Sequence, residues 1–303
     1  MTTVLRTSAF GQQAAKYGRA LPFSESVASV TDLPEPLSAA LQAELADERD
    51  SVRLIIHSPA FSTVDQSSPE NAFALTDRRW VMAAHTDAGV QTHSAPFAAA
   101  AVVELTMILL GGQLRIASVA GAASCAISFN MVSLDLFREA LFMVLASARA
   151  ADASGSQAAT SSLDSLSFKF RTALGEQAPP GETVQAVCSW EREVPPLAWL
   201  MFRRPAAPAG MLAVTGHSLI IITDPYVSKG KQAKGESPHG KIATYLLRRH
   251  PIAMREGAGR GSEREFSFEV GEGASAVRHA LRVPTGQAAP VLGLIEAARL
   301  SQA

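Results

Sequence analysis

At 303 residues, 47% hydrophobic and 18% charged, the chain is long enough for two domains of ordinary size and apolar enough to fold over most of its length. Its formal net charge is −1, which divides into 10 Lys+Arg against 14 Asp+Glu (−4) in residues 1–150 and 17 against 14 (+3) in residues 151–303; neither half carries the basic surplus of a nucleic-acid binder. The two cysteines, Cys125 and Cys188, form no CxxC or metal-ligand cluster, sit in apolar runs as small hydrophobes, and fit a reducing cytoplasm.

In chain order, residues 1–30 are polar and Ala/Ser-rich without a period and read as part of a loosely ordered leader over 1–35; no apolar signal core is expected there. Leu37, Leu41 and Leu45, after Pro34 and Pro36, predict a short amphipathic helix. Val52 to His57 reads as a strand, and Ser62 to Asn71 as a polar loop. Phe73 to Met82 alternates into and out of a turn at Asp77-Arg78-Arg79 and reads as a hairpin. Val90 to Phe97 and Ala101 to Leu110 are further strand candidates, the second also permitting helix; Gly111-Gly112 reads as a break. Residues 114–117 and 126–129 are strands, and Leu134, Phe137, Leu141, Val144 and Leu145 mark one face of a helix opened by Ser133. The longest apolar stretch, Phe97 to Leu110, is shorter than the roughly 20 residues a membrane helix needs and is interrupted by Glu104 and Thr106, so no transmembrane segment is expected.

Residues 151–162, rich in Ala, Ser and Gly, read as a linker. The order then repeats. A short helix is expected over Leu163 to Leu174, ended by Gly175 and Pro179-Pro180-Gly181. Strands follow at Thr183 to Trp190, Leu197 to Phe202, and Met211 to Thr223 as a second hairpin turning at Gly216-His217. Residues 243–247, 253–254, 266–270 and 277–283 are strand candidates, and 290–300 a closing helix. The hairpins echo each other: Phe73-Ala74-Leu75-Thr76 returns as Leu212-Ala213-Val214-Thr215, 212 − 73 = 139 residues later. The offset is 132 for Val52 and Val184, and 157 for Leu134 and Val291. The second copy therefore gains 7 residues before its hairpin and 18 after it, largely between Asp224 and Lys241, in loops where backbone stays hydrated.

Two features carry a resemblance to a family. Ala74-Leu75-Thr76-Asp77-Arg78-Arg79-Trp80 resembles the LTDRR hairpin of bacterial pleckstrin-homology-like (PH-like) modules, and the amphipathic helices at 133–146 and 290–300 resemble their closing helix. The chain thus resembles a tandem of PH-like domains over 36–150 and 163–303, with Gly216-His217-Ser218 departing from the motif in the second copy. The resemblance implies a β-rich α+β fold of two barrels, each of about seven strands and a closing helix. It also implies a cytoplasmic, non-enzymatic binding or scaffolding role, with no cofactor and a protein, peptide or anionic lipid headgroup as partner.

Candidate contacts are few. Arg78 and Arg79 at the hairpin tip suit an anion or partner, or serve turn solubility beside Asp77. Lys229, Lys231, Lys234 and Lys241, with Arg248 and Arg249 further on, form the most basic stretch; it is either a solvated loop or a docking loop for an acidic peptide or lipid phosphate, and the latter gives a peripheral-membrane alternative. Glu104, in an apolar run, is either a perturbed carboxylate or the outward residue of a strand. The seven histidines, at 57, 85, 93, 217, 239, 250 and 279, form no HxxxH or HExxH, and no metal or catalytic motif is expected. The competing enzyme reading, a hydrolase or isomerase at the interface of the halves, requires Glu104, His57, His85, His93 or His250 to converge on one pocket.

Overall fold

The computed structural model describes residues 23–46, 51–62, 67–108, 111–119, 123–150, 163–164, 166–192, 207–225, 240–257 and 263–300. The expected strands at Leu197 to Phe202, the linker 151–162 and the lysine-bearing loop up to residue 239 lie outside them.

In chain order the elements are β1 (Glu25–Ser26), α1 (Leu37–Glu44), β2 (Leu54–Ser58), the short pair β3 (Phe61–Ser62) and β4 (Ser67–Ser68), β5 (Glu70–Leu75), β6 (Arg79–Thr86), β7 (Gly89–Pro96), β8 (Ala100–Ile108), β9 (Gly111–Ser118), β10 (Cys125–Asn130) and α2 (Leu134–Ala150). After residues 151–162 come α3 (Phe168–Gln177), β11 (Val184–Trp190), β12 (Gly210–Thr215), β13 (Ser218–Thr223), β14 (Gly240–Leu247), β15 (Ile252–Gly257), β16 (Glu263–Val270), β17 (Val277–Pro284) and α4 (Ala288–Leu300). The β-rich α+β class follows directly. All main pairings are antiparallel. They build a five-stranded sheet (β1-β2-β5-β6-β7), a seven-stranded sheet (β10-β9-β8-β14-β13-β12-β11) and a three-stranded sheet (β15-β16-β17). Among the described residues no sheet closes into a barrel.

The strand registers recur at the offsets read from the sequence. Ile55 faces Ala74 as Val187 faces Ala213, keeping the offsets of 132 and 139. Arg79 faces Pro96 as Ser218 faces Leu247, so β7 and β14 are counterparts at 247 − 96 = 151. The closing helices each follow a three-residue 3-10 turn, Met131–Ser133 and Thr285–Gln287, so Leu134 answers to Ala288 at 288 − 134 = 154. The expected gain of 18 after the hairpin is thus 154 − 139 = 15, and 151 − 139 = 12 of it falls between β13 and β14. Val291 sits one turn into α4 and was the wrong partner for Leu134, because apolar helix faces repeat every three or four residues.

The echoed threonines hold both hairpins in the same way. Thr76 Oγ1 accepts hydrogen bonds from the backbone N–H groups of Arg78 (3.1 Å) and Arg79 (3.0 Å) and donates to the Arg79 carbonyl (3.1 Å). Thr215 Oγ1 accepts from His217 N (3.3 Å) and Ser218 N (3.0 Å) and donates to the Ser218 carbonyl (3.1 Å). Both threonines are buried. The first turn therefore centres on Asp77-Arg78, and Arg79 already belongs to β6.

Three apolar layers stack on these sheets. Leu37, Leu41 and Leu45 of the first helix, all fully buried, cover Ile55, Ala74, Val81 and Ala83 on the outer face of the five-stranded sheet. Its inner face (Phe73, Leu75, Trp80, Met82) joins Val103, Leu105, Ile116 and Ile127 and the α2 residues Phe137, Leu141 and Val144 in the largest core. That core continues into the second half through Tyr245, Met211, Ile220, Phe170 and Leu174. Leu212, Val214, Leu219 and Ile221, from the opposite face of β12 and β13, meet Phe266, Phe268, Leu281, Val291 and Ile295. Strands β12 and β13 of the seven-stranded sheet are thus buried on both faces, which explains the unbroken apolar runs Met211-Leu212-Ala213-Val214 and Leu219-Ile220-Ile221-Ile222.

Residues 24–33 are held although the sequence has no period there. Glu25 and Ser26 pair with His57 and Ile56, Ser24 N donates to Ser133 Oγ (3.0 Å), and Leu33 is buried. A two-residue strand is too short to leave a periodic signature. The third helix also starts later than expected, at Phe168, and runs through Gly175 to Gln177; Gly175 meets nothing that a Cβ would strike and does not end it.

Replacing the buried Thr76 or Thr215 by Val removes the side-chain acceptor of two backbone N–H groups at its turn. Each variant is expected to lower unfolding free energy by about 2 kcal/mol in urea titrations, with Ser at the same position restoring most of the loss.

Candidate functional site

Of the five basic residues singled out from the sequence that are described, four bind inside the molecule. Helix C-termini leave carbonyls without intrahelical donors, and here strand side chains supply them. Arg79 Nη2 donates to the Glu44 carbonyl at the end of α1 (2.6 Å), Arg249 Nη1 to the Ala148 carbonyl near the end of α2 (3.0 Å), and Tyr245 Oη to the Gln177 carbonyl ending α3 (2.6 Å). Arg248 donates to the Thr215 carbonyl beneath the second hairpin and to Gln185 Oε1 (3.4 Å). Lys241 Nζ lies 3.7 Å from Glu176 Oε2. Arg78 alone stands exposed at its turn, with no side-chain partner among the described residues. Lys229, Lys231 and Lys234 lie outside the described residues, so the proposed basic stretch is represented only by members already engaged.

Of the histidines named for the enzyme reading, His57 and His85 meet on one carboxylate, Glu70, while His93 and His250 are held by other elements. His57 meets Glu70 (3.0 Å) and Glu25 (3.7 Å), and His85 meets the other Glu70 oxygen (3.7 Å). His93 lies on β7, and His250 pairs with the Ala100 carbonyl (2.9 Å). No group of three or more His, Cys, Asp or Glu is arranged to hold a metal ion among the described residues. Burial pushes the Cys125 thiol up to about 12 and the Cys188 thiol up to about 11, which makes both poor nucleophiles at neutral pH.

Two hollows form between elements of the two halves. The first, about 370 Å³, is lined by Glu104 of β8, Thr223 and Asp224 after β13, Ile242 of β14, and His279 and Arg282 of β17. Its charges are internally matched: Thr244 Oγ1 donates to Glu104 (3.2 Å), Lys169 to Asp224 (2.7 Å), and Arg282 to Glu265 (3.1 Å). Burial, with the Arg115 guanidinium adding to it, pushes the His279 imidazole down to about 4, so it stays neutral at pH 7. The sequence carries no sign of His279 and Asp224 as site residues, because neither has a spaced partner and neither the β8–β14 pairing nor the packing of β17 over that sheet leaves a local trace.

The second hollow is an open groove of about 430 Å³ between α2 and the segment that follows α3. Phe142, Met143, Ala146, Pro179 and Pro180 give it an apolar floor; Arg53, Glu139, Arg149 and Glu182 stand on its rim. Phe142 and Met143 are half-buried: they pack against the margin of the core that holds Leu141 and Val144 and also line the groove. Pro179 stops α3, and Gly181, at φ 77, turns the chain back along α2 toward β11. Glu139 and Arg149 carry no ion pair among the described residues. Ten residues separate them on α2, or about 15 Å along the helix axis. The groove therefore presents an unmatched negative charge and an unmatched positive charge with an apolar strip between them.

No protein-family model matches this chain, and no curated protein or solved structure does either. No helix among the described residues is long and apolar enough to cross a membrane.

Two outcomes follow from these contacts. Arg249→Ala removes the donor from the Ala148 carbonyl and is expected to cost about 1–2 kcal/mol in urea unfolding. His279, lowered in the folded state from an ordinary value near 6.5, makes the unfolded chain the better proton acceptor. Its contribution is fully present above about pH 6.5 and is lost as pH falls toward about 4. In His279→Gln, the part of the stability decline that wild type shows over that window should disappear when urea midpoints are measured against pH.

Proposed function

We propose that this is a non-enzymatic binding or scaffolding protein of the cytoplasm, built from two PH-like domains, whose groove along α2 takes an extended segment of a partner protein. The observation that carries the reading is the groove itself: an open apolar strip flanked by Glu139 and Arg149, neither of them neutralised within the described residues. A peptide extends about 3.3 Å per residue, so four or five residues span the roughly 15 Å between the two charges. The fitting ligand places a basic residue toward Glu139, apolar side chains over Phe142 and Met143, and an acidic residue toward Arg149. The PH-like reading draws support from the repeated order of helix, four strands, three strands and helix, and from α2 lying over the core between the first half's two sheets.

A second reading, an interface hydrolase or isomerase, is favoured by one observation: Glu104 and the neutral His279, from different halves, line one hollow. The internal partners of Glu104, Asp224 and Arg282 weigh toward structural use of that hollow instead.

The test is selection of heptapeptides from a random library on the full chain, with affinities of the enriched peptides measured by calorimetry. Enrichment of the basic–apolar–acidic pattern is expected. Met143→Asp should weaken binding by about tenfold or more, and the surface variant Glu139→Lys should reverse the preference at the basic position, while His279→Gln leaves affinity unchanged. Peptides indifferent to both groove variants, a failure to enrich any, or salt-sensitive pelleting with phosphatidylserine vesicles without peptide binding, would overturn the proposal.

A further inference from the structure

β7 ends the five-stranded sheet, and its counterpart in the second half shows what that position accepts. Phe97 N donates to the Arg78 carbonyl (3.1 Å), and bonded pairs alternate along an antiparallel ladder. Ala95, His93, Gln91 and Gly89 therefore bond β6, while Val90, Thr92 and Ser94 turn their N–H and C=O groups outward. In the second half Arg248 N donates to the His217 carbonyl (2.9 Å), the same contact at 248 − 97 = 151 and 217 − 78 = 139. Adding 151 to the outward positions gives Lys241, Ala243 and Tyr245, and there the outward groups meet Met107, Leu105 and Val103 of β8. On β7 that side is open. Among the described residues, Val90 to Ser94 form no hydrogen bond or ion pair beyond those with β6, Glu44 and Arg79, and Gln91 and Thr92 are exposed. A Cβ on Gly240 would sit on the Met107 carbonyl oxygen, whereas one on its counterpart Gly89 would meet nothing within 4 Å.

We propose that β7 pairs antiparallel with β7 of a second copy about a two-fold axis at Thr92, joining the two five-stranded sheets into one continuous sheet. The axis sets Thr92 opposite Thr92 of the second copy, Val90 opposite Ser94, and Gln91 opposite His93. Each facing pair formed by the outward residues then exchanges both of its N–H···O=C bonds. The same surface serves on both partners, so the association closes at a dimer.

Three observations favour a second copy as the occupant. First, none of the eight residues of β7 is Lys, Arg, Asp or Glu, and the strand has no bulge and no interior proline, whereas solitary edges are usually blunted by such devices. A charge near the axis would face its own copy, and like charges directly opposite destabilise a strand pair. Second, the outward groups lie symmetrically about Thr92, so an antiparallel copy leaves none of them unpaired. It also sets Thr on Thr and Gln91 against His93, side chains able to hydrogen-bond across the strands. Third, a helix over this position does not bar a partner strand. Glu44 of α1 reaches Thr92 (3.3 Å) much as Glu176 of α3 reaches Lys241 (3.7 Å), and β14 pairs with β8 regardless. Arg79 Nη1 lies 3.7 Å from Glu44 and offsets its charge near the axis. The contact is a short backbone ladder with polar side chains at its centre, so it is weak and reversible, and it uses none of the residues that line the groove beside α2.

Single-cysteine substitutions in the full chain test the register. Residues facing each other in a bonded pair lie about 5.5 Å apart at Cα, within disulfide reach, whereas Gln91 and its own copy are diagonal neighbours about 7–8 Å apart. On oxidation Thr92→Cys is expected to give a homodisulfide far above the yields from wild type and from Gln91→Cys. Gln91→Cys mixed with His93→Cys should give a mixed disulfide that neither gives alone. Wild-type protein should sediment with a mass that rises with concentration from the 31.9 kDa of one chain to twice that and no further. Thr92→Pro removes an outward N–H and none that bonds β6, so it should hold the mass at one chain; the cysteine yields decide the question even where this variant fails to fold. Equal yields from Thr92→Cys and Gln91→Cys, or a mass that climbs beyond dimer, overturn the proposal. A monomer at every concentration, which would leave the edge to an extended peptide, overturns it as well.

Discussion

The antiparallel ladder between β8 and β14 is the constraint on which the rest depends. It joins residues about 140 positions apart and turns three strands of one half and four of the other into a single sheet. Once that sheet exists, both of its faces must be covered. On one face α2 and α3 lie over the largest core, and on the other β16, β17 and α4 supply aromatic and aliphatic cover. β12 and β13, inside that sheet, are accordingly apolar at successive positions, as strands buried on both faces must be.

The same join accounts for where the charges went. The halves carry opposite net charges, and part of the positive excess of the second is spent at their boundary. Arg249 reaches across to the end of α2; beside it His250, which is not part of that charge count, hydrogen-bonds the Ala100 carbonyl of β8. Arg79 does comparable work inside the first half at the end of α1. A basic residue in an alternating strand is as well placed to serve a helix carbonyl as a ligand, and only the surrounding geometry decides between them. On the rim of the groove Glu139 and Arg149 have no ion pair among the described residues and flank an apolar strip, and that pair gives the groove its recognition character.

Local order was largely legible. Leu37, Leu41 and Leu45 mark a helix face, and the echo of Phe73-Ala74-Leu75-Thr76 in Leu212-Ala213-Val214-Thr215 marks two hairpins whose shared element is the buried threonine. The offsets 132 and 139 survive in the strand registers because those strands pair with sequence neighbours. What was illegible is non-local or too short to repeat. The partnership of β8 with β14 has no signature in either strand, so the continuity of the halves, the Glu104–His279 hollow and the groove beside α2 were invisible. The strand Glu25–Ser26 is shorter than any period. The helix equivalence slipped by three residues because Val291 and Ala288 lie on neighbouring turns of one face.

The central claim is that the two halves fold as one unit through the shared sheet. Hydrogen exchange of the full chain, followed peptide by peptide along a urea series, tests it directly. The account predicts that amides in residues 100–108 and 240–247 lose protection together, at the same urea concentration as the cores at 71–84 and 263–283. Loss of protection in one half at a urea concentration where the other remains fully protected would contradict it.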